Sequence, residues 1–172
     1  MKKKILISTG GSGGHVMPAI TIYDHLKTEY DILISTDLRG LKYLDNAICK
    51  IIIVNTPKLN NLILLPYTIL KVFFLIFKSL YLLKKEKIQI LISTGGYMSL
   101  PLCIAAKILN IKIFLLEPNM VIGRANKFFL VFCKKIICYS KKIIGFSDKF
   151  KNKLIILNPL LRKKYYEKIP EN

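Results

Sequence analysis

Ile5-Leu6-Ile7-Ser8-Thr9-Gly10-Gly11-Ser12-Gly13-Gly14-His15-Val16-Met17-Pro18 is the stretch whose reading decides the fold. A short apolar run stops at a glycine-rich turn and a helical pattern follows. That is the strand, turn and helix of an α/β protein, with the strand's carboxyl end free to meet a polar ligand. Four glycines in five positions remove the Cβ atoms that hold a ligand off the backbone, and they permit the positive φ angles of a tight turn. With a helix opening at Met17 or Pro18, its unsatisfied N–H groups and dipole add partial positive charge, which suits phosphate or a developing negative charge. His15 stands at this junction as the titratable group nearest neutrality. The spacing is not G-x-G-x-x-G and no Lys-Ser/Thr pair follows, so a dinucleotide fingerprint and an ATP P-loop are both excluded. Two readings stay open for the loop, an anion cradle or a tight turn without ligand. His15 is likewise either catalytic or a structural support of the turn.

Working outward, Ile-Leu-Ile-Ser-Thr returns at residues 32–36, and residues 90–96 repeat the first copy through its two glycines. Such runs suit strands buried on both faces, with small hydroxyls at the exit. Between them lie helical patterns. Ile20, Tyr23, His25 and Leu26 mark a helix after Pro18, a second is predicted over residues 41–47, and residues 51–54 form a further strand. Later come a helix over 99–109, a strand over 111–116, a helix over 123–133 and a strand over 136–139. The alternation predicts a Rossmann-like, doubly wound parallel sheet with helices on both faces. Ligands then sit beyond the carboxyl ends of the strands, where the Gly10 and Gly95 turns both lie.

The chain has 172 residues, 52% of them hydrophobic, which is one domain's length with ample core. Its formal charge of +18 comes almost wholly from lysine, because Arg39, Arg124 and Arg162 are the only arginines. Recognition of phosphates or bases by fork geometry recruits arginine. A dispersed lysine surplus therefore fits a solvated or anionic-membrane-facing surface, or plain compositional bias, and no nucleic-acid partner is expected. Cys49, Cys103, Cys133 and Cys138 lack C-x-x-C spacing and lie in apolar surroundings, so they are expected to be core residues rather than zinc ligands or disulfides. The first apolar run is too short for a signal peptide.

Residues 62–83 are nearly all apolar over about a bilayer's helix length, interrupted by Pro66, Lys71 and Lys78. Lys71, Lys78 and Lys85 recur every seventh residue and so share a helix face, while Phe73, Phe74, Ile76, Phe77 and Leu80 cover much of the rest. Two central lysines argue against a spanning helix. A buried helix with one solvated stripe and an apolar, lysine-ringed patch resting on an anionic membrane are both consistent with the pattern.

Two more loops carry polar groups at strand exits. Gly95, Gly96, Tyr97 and Ser99 precede Pro101, and Glu117-Pro118-Asn119 leads into Gly123-Arg124-Ala125-Asn126-Lys127. A carboxylate and an amide at such a place either hold or act on a sugar hydroxyl, or cap a loop and a helix.

Gly10 to Pro18, Thr94 to Pro101 and Glu117 to Lys127 come in the order and at about the distances found in the MurG-type transferases of glycosyltransferase family 28, which this chain resembles over nearly its whole length. The resemblance implies the amino-terminal domain of a GT-B enzyme that moves N-acetylglucosamine from UDP-GlcNAc to an undecaprenyl-linked muramyl-pentapeptide, with inversion and without metal or cofactor. Carried over by motif, His15 and Glu117 are candidate bases for the acceptor hydroxyl. Gly11, Ser12, Gly13, Gly14 and Asn119 face the donor or its diphosphate, Gly95, Gly96 and Tyr97 shape the acceptor side, and Asn126 and Arg162 complete the binding set. Residues 62–85 match the family's membrane-facing surface, which implies a peripheral place on the cytoplasmic face of the plasma membrane. Residues 1–160 are then the acceptor domain and 161–172 the start of an interdomain link, with Asn158-Pro159 resembling its Gly-Asn-Pro-Val. Leu116 and Pro118 depart from the family's His-Glu-Gln-Asn, Leu157 from the linker glycine, and Arg162 stands one place late. Ending at Asn172, the chain is expected to need a donor-binding domain from another polypeptide. The alternatives are a non-catalytic lipid-sugar binding module and a gene fragment.

Overall fold

The computed structural model describes residues 2–44, 49–57 and 65–162. Its strands β1 (Lys4–Ser8), β2 (Asp31–Thr36), β3 (Ile51–Ile53), β4 (Ile90–Ser93), β5 (Lys112–Glu117), β6 (Lys135–Cys138) and β7 (Leu154–Ile156) pair in the order β3-β2-β1-β4-β5-β6-β7. Every neighbouring pair is parallel. Helices α1 (Gly13–Leu26), α2 (Leu38–Leu41), α3 (Leu65–Lys85), α4 (Leu100–Ile108) and α5 (Arg124–Phe129) make the crossovers. The expected doubly wound sheet is what the chain forms.

The repeated Ile-Leu-Ile-Ser runs explain the centre of this sheet. Ile5 pairs with Ile32 and Ile90, Leu6 with Leu33 and Leu91, and Ser8 with Ser35 and Ser93, so identical residues lie side by side in rows. Because side chains alternate across a strand, Leu6, Leu33 and Leu91 fall into one core with Leu83, Leu102 and Phe129. Ile5, Ile7, Ile32, Ile34 and Ile92 fall into the opposite core with Val16, Ala19 and Ile20 of α1. Each buried leucine or isoleucine contributes about 1.5–3 kcal/mol relative to exposure. The three strands thus carry one code because they meet the same two-sided burial, and Ser8, Ser35 and Ser93 end together as a buried hydroxyl row at the carboxyl edge.

Several boundaries differ from the sequence expectation. Helix α1 opens at Gly13, and Pro18 lies inside it. Ser12 is extended and its carbonyl accepts from the Val16 amide at 3.2 Å, which starts the helix ahead of the proline. The helix predicted over 41–47 forms one turn earlier, at Leu38–Leu41, because Asp37 accepts from the Gly40 amide and caps it; residues 45–47 lie outside the described residues. Helix α5 stops at Phe129 rather than 133, since the chain turns there to bring the Lys134 amide onto the Ile113 carbonyl beside β6. Strand β7, which no pattern signalled, closes the far edge.

Helix α3 is mostly exposed over the described part of residues 62–83, rather than buried with one solvated stripe; residues 62–64 lie outside the described residues. Its inner face carries Thr68, Ser79 and Leu83 against the protein, while Leu70, Phe73, Phe74 and Phe77 are exposed. Over Pro66–Lys85 the helix is long and apolar enough to cross a membrane by length and composition, yet only 17% of its most apolar stretch is buried. Lys71 lies 4.5 Å from the Tyr67 ring centroid and Lys85 5.7 Å from that of Tyr81, so the lysines fold back over aromatic rings one turn away.

Candidate functional site

Strands β1 and β4 are adjacent, but the helices that follow them pack on opposite faces of the sheet, α1 on the isoleucine side and α4 on the leucine side. Their exits therefore diverge at a switch in strand order, the place where open α/β sheets bind their ligands. The ladder extends one residue past each serine, the Thr94 amide donating to the Ser8 carbonyl at 3.0 Å. Thr94 Oγ1 also donates to Thr9 Oγ1 at 2.9 Å, buried. Both glycine loops start from this shared, rigid base.

His15, in the first turn of α1 and half-buried, places Nδ1 2.8 Å from the Thr94 carbonyl. A carbonyl only accepts, so Nδ1 carries the proton and in the neutral ring Nε2 holds the free lone pair. The ring rests on the second loop. A Cβ on Gly95 would lie 3.2 Å from His15 Cε1 and 3.3 Å from Asn126 Nδ2, and Gly95 has φ +94°. Glycine is required there on both counts. The amide ends of Ser12, Gly13 and Gly14 lie at the start of α1, where Ser12 makes no side-chain cap and no acid occupies the first turn. The partial positive charge of the terminus is thus not offset by a side chain of its own first turn, an arrangement that suits an anion.

Glu117 ends β5 and is 2% exposed. Its Oε1 accepts from the Asn119 amide at 3.2 Å and Asn119 Nδ2 at 3.0 Å, and its Oε2 from the Gly123 amide at 2.7 Å and Asn126 Nδ2 at 3.1 Å. Asn126, buried in α5, also reaches the Leu116 carbonyl at 3.1 Å. The carboxylate therefore draws residues 117–126 into one closed loop behind His15 and Gly95. Here the chemistry of the two candidate bases parts: His15 has a free lone pair, whereas both Glu117 oxygens are committed to the loop.

Asp37, at the exit of β2, is a residue that the sequence reading missed. It accepts from the amides of Gly11 and Gly40 at 2.8 Å each and from Arg39 Nε at 2.8 Å. Burial pushes its carboxyl up, but the Gly11, Gly40 and Arg39 hydrogen bonds with the guanidinium charge outweigh this and hold it below its ordinary value. Arg39 continues to the Tyr97 hydroxyl. The one available signal was an acid directly after the second Ile-Leu-Ile-Ser-Thr copy.

His15, Gly95, Gly96, Glu117, Asn119 and Asn126 thus converge with the Gly11–Gly14 turn. Arg162 does not join them. Its Nε pairs with Asp24 Oδ2 at 3.2 Å near the end of α1, about 18 Å along the helix from Ser12 at 1.5 Å per residue.

Comparison with known proteins agrees with this fold. Residues 5–138 match the glycosyltransferase family 28 N-terminal domain. The chain belongs to this family. A Pelagibacter ubique transferase, named UDP-N-acetylglucosamine–N-acetylmuramyl-(pentapeptide) pyrophosphoryl-undecaprenol N-acetylglucosamine transferase, is 55% identical over 98% of this chain and 48% of its own length. A Rickettsia prowazekii protein of the same name is 37% identical over 96% of this chain and 43% of its own. The family 28 domain here therefore spans about half the length of the curated relatives it matches. Among solved structures, Acinetobacter baumannii MurG superposes with TM-score 0.75 at 21% identity, over 99% of this chain and 50% of that one. A Neisseria meningitidis UDP-GlcNAc 2-epimerase superposes with TM-score 0.63 at 14% identity, over 89% and 45%. At those identities the two structures speak for the fold alone.

Proposed function

We propose that this family 28 domain is the acceptor-side half of a transferase that moves N-acetylglucosamine from UDP-GlcNAc to a polyprenyl-diphosphate-linked muramyl-pentapeptide. The observation that carries the reading is His15, at the β1/β4 switch point with Nδ1 held by the Thr94 carbonyl, in a chain 55% identical to a transferase of that name. The acceptor hydroxyl oxygen forms the new bond to the donor's anomeric carbon as the bond from that carbon to the UDP oxygen breaks, inverting the centre. The hydroxyl proton passes to His15 Nε2. Free amides of the Ser12–Gly14 turn and the α1 dipole offset the negative charge of a diphosphate. Glu117 acts as a positioning residue, holding Asn119 and Asn126 through its four hydrogen bonds. Gly95, Gly96 and Tyr97 line the acceptor side.

Residues 1–160 make the acceptor domain in this reading, and the donor-binding half follows the Asn158-Pro159 link or comes from another polypeptide. The exposed Leu70, Phe73, Phe74 and Phe77 of α3, flanked by Lys71, Lys78 and Lys85, support docking on an anionic membrane at its cytoplasmic face, where the lipid acceptor is presented.

The test supplies this chain with a family 28 donor domain, UDP-GlcNAc and the lipid acceptor in vesicles. Transfer is expected, and His15→Ala should lower its rate by about 10²–10⁴-fold. An unchanged rate in that variant removes His15 as the base, and no transfer with a competent donor domain removes the reading.

A further inference from the structure

Asp37, Arg39 and Gly40 leave the sheet after β2, and the proposed transfer uses none of them. They nevertheless touch both glycine loops. Asp37 Oδ1 takes the Gly11 amide of the first loop and the Gly40 amide together, at 2.8 Å each, and Oδ2 takes Arg39 Nε at 2.8 Å. Arg39 Nη2 then reaches the Tyr97 hydroxyl of the second loop and the Met98 sulfur at 3.8 Å. The backbone is shaped to the same end, because a Cβ on Gly40 would lie 2.9 Å from Gly10 Cα and one on Gly10 would lie 2.9 Å from Asp37 Oδ1.

Capping of α2 accounts for the Gly40 bond alone. It does not account for the Gly11 bond or for a guanidinium that bridges from Asp37 to Tyr97. A loop of glycines has no side chains to hold its own shape and loses much backbone entropy on ordering. Asp37 is 4% exposed, so it ties that loop from beneath without occupying the ligand's space. A carboxylate below an anion site is also a hazard by Coulomb repulsion. Arg39 cancels its charge in place.

We infer that Asp37 and Arg39 form a latch that ties the Gly10–Gly14 loop to the Gly95–Tyr97 loop and so presets one cradle for a diphosphate ligand. Both are positioning residues. The inference rests on the reading above that the first loop takes a diphosphate, and its test separates the two.

The probe is inorganic pyrophosphate, titrated into the ¹⁵N-labelled 172-residue chain with amide exchange measured alongside. Asp37→Ala should raise exchange at Gly11 about tenfold, leave the β1 and β4 ladder unchanged, and raise the pyrophosphate Kd about tenfold, as expected for losing a hydrogen bond that presets the loop. Asp37→Asn keeps an oxygen for the two amides and should recover most of that loss. Arg39→Gln should shift the Tyr97 resonances and weaken pyrophosphate binding by leaving the carboxylate uncompensated, and adding Asp37→Asn to it should restore part of the affinity. A purely structural Asp37 would lower Tm in Asp37→Ala with Kd and Gly11 exchange within about twofold of wild type, and that result overturns the latch. So does an unmoved Tyr97 in Arg39→Gln. Failure of pyrophosphate to shift Gly11–Gly14 in the wild type refutes the diphosphate reading instead, while the exchange and Tyr97 measurements still decide the latch.

Discussion

Glu117→Gln separates a carboxylate that holds a loop from one that takes a proton. The glutamine keeps the shape and places one oxygen and one NH₂ where two oxygens stood. Four N–H donors converge on those positions, two on each. Whichever way the amide turns, two donors face an N–H group and lose their acceptor. With NH₂ toward the exposed Asn119, water satisfies part of the deficit. With NH₂ toward Gly123 and the buried Asn126, nothing does. Hydrogen bonds to a charged group contribute roughly 1.5–3 kcal/mol each, and the solvent-relieved arrangement brings the loss to about 2–4 kcal/mol. For a chain of this size that is a Tm fall of about 4–16 °C. Thermal unfolding followed by far-ultraviolet circular dichroism at pH 7 measures it. A Tm within about 2 °C of wild type refutes the loop-holding role. Loss of transfer with unchanged Tm, in the chain supplied with a donor domain, points to Glu117 as a base after all.

Other parts of the structure predict as definitely. Gly95→Ala forces a Cβ to 3.2 Å from His15 and 3.3 Å from Asn126 at φ +94°; it should cost about 1–3 kcal/mol and move the His15 ring signals, and a neutral Tm with an unmoved ring contradicts the packing. Asp37 and Glu86 titrate below their ordinary values when folded, Glu86 through its hydrogen bonds and charge pairing with Lys50 and Lys4. Their contribution is thus full above the unfolded carboxylate range near pH 4 and is lost as pH falls through the lowered folded values. Urea unfolding from pH 6 to 3 should show stability falling at the acid end, with a shallower fall in Asp37→Asn; equal slopes count against it. On α3, Phe73→Asp with Phe77→Asp should abolish sedimentation with anionic vesicles while leaving Tm nearly unchanged, since both rings are exposed. Undiminished vesicle binding removes α3 as the contact.

Much of the fold was legible because its cause is local and repeated. Two-sided burial forces the same Ile-Leu-Ile-Ser code on three adjacent strands, and the register of Ile5, Ile32 and Ile90 turns that code into rows. The loops of the candidate site were legible too, since glycine at a strand exit and the Glu117-Pro118-Asn119 run mark places where backbone geometry and hydrogen bonding constrain residue type. What stayed hidden depends on distance or on competing local signals. Asp37 matters through Gly11, 26 residues away in sequence. Pro18 imitates a helix start, but the extended Ser12 begins α1 earlier. Strand β7 has three residues and no periodicity to show, and Arg162, placed in the binding set by motif, is drawn to Asp24 instead.

In the proposed function the lipid-linked acceptor sits at the β1/β4 switch point, its diphosphate on the Gly11–Gly14 turn and its sugar beside Gly95–Tyr97 and His15. A soluble short-chain prenyl-diphosphate muramyl-pentapeptide, titrated into the ¹⁵N-labelled chain, tests it directly. The account predicts saturable shifts that rise together at Gly11–Gly14, at Gly95–Tyr97 and at the His15 ring, and that fail in Gly95→Ala. Shifts confined to α3, or to one loop without the other, would contradict it.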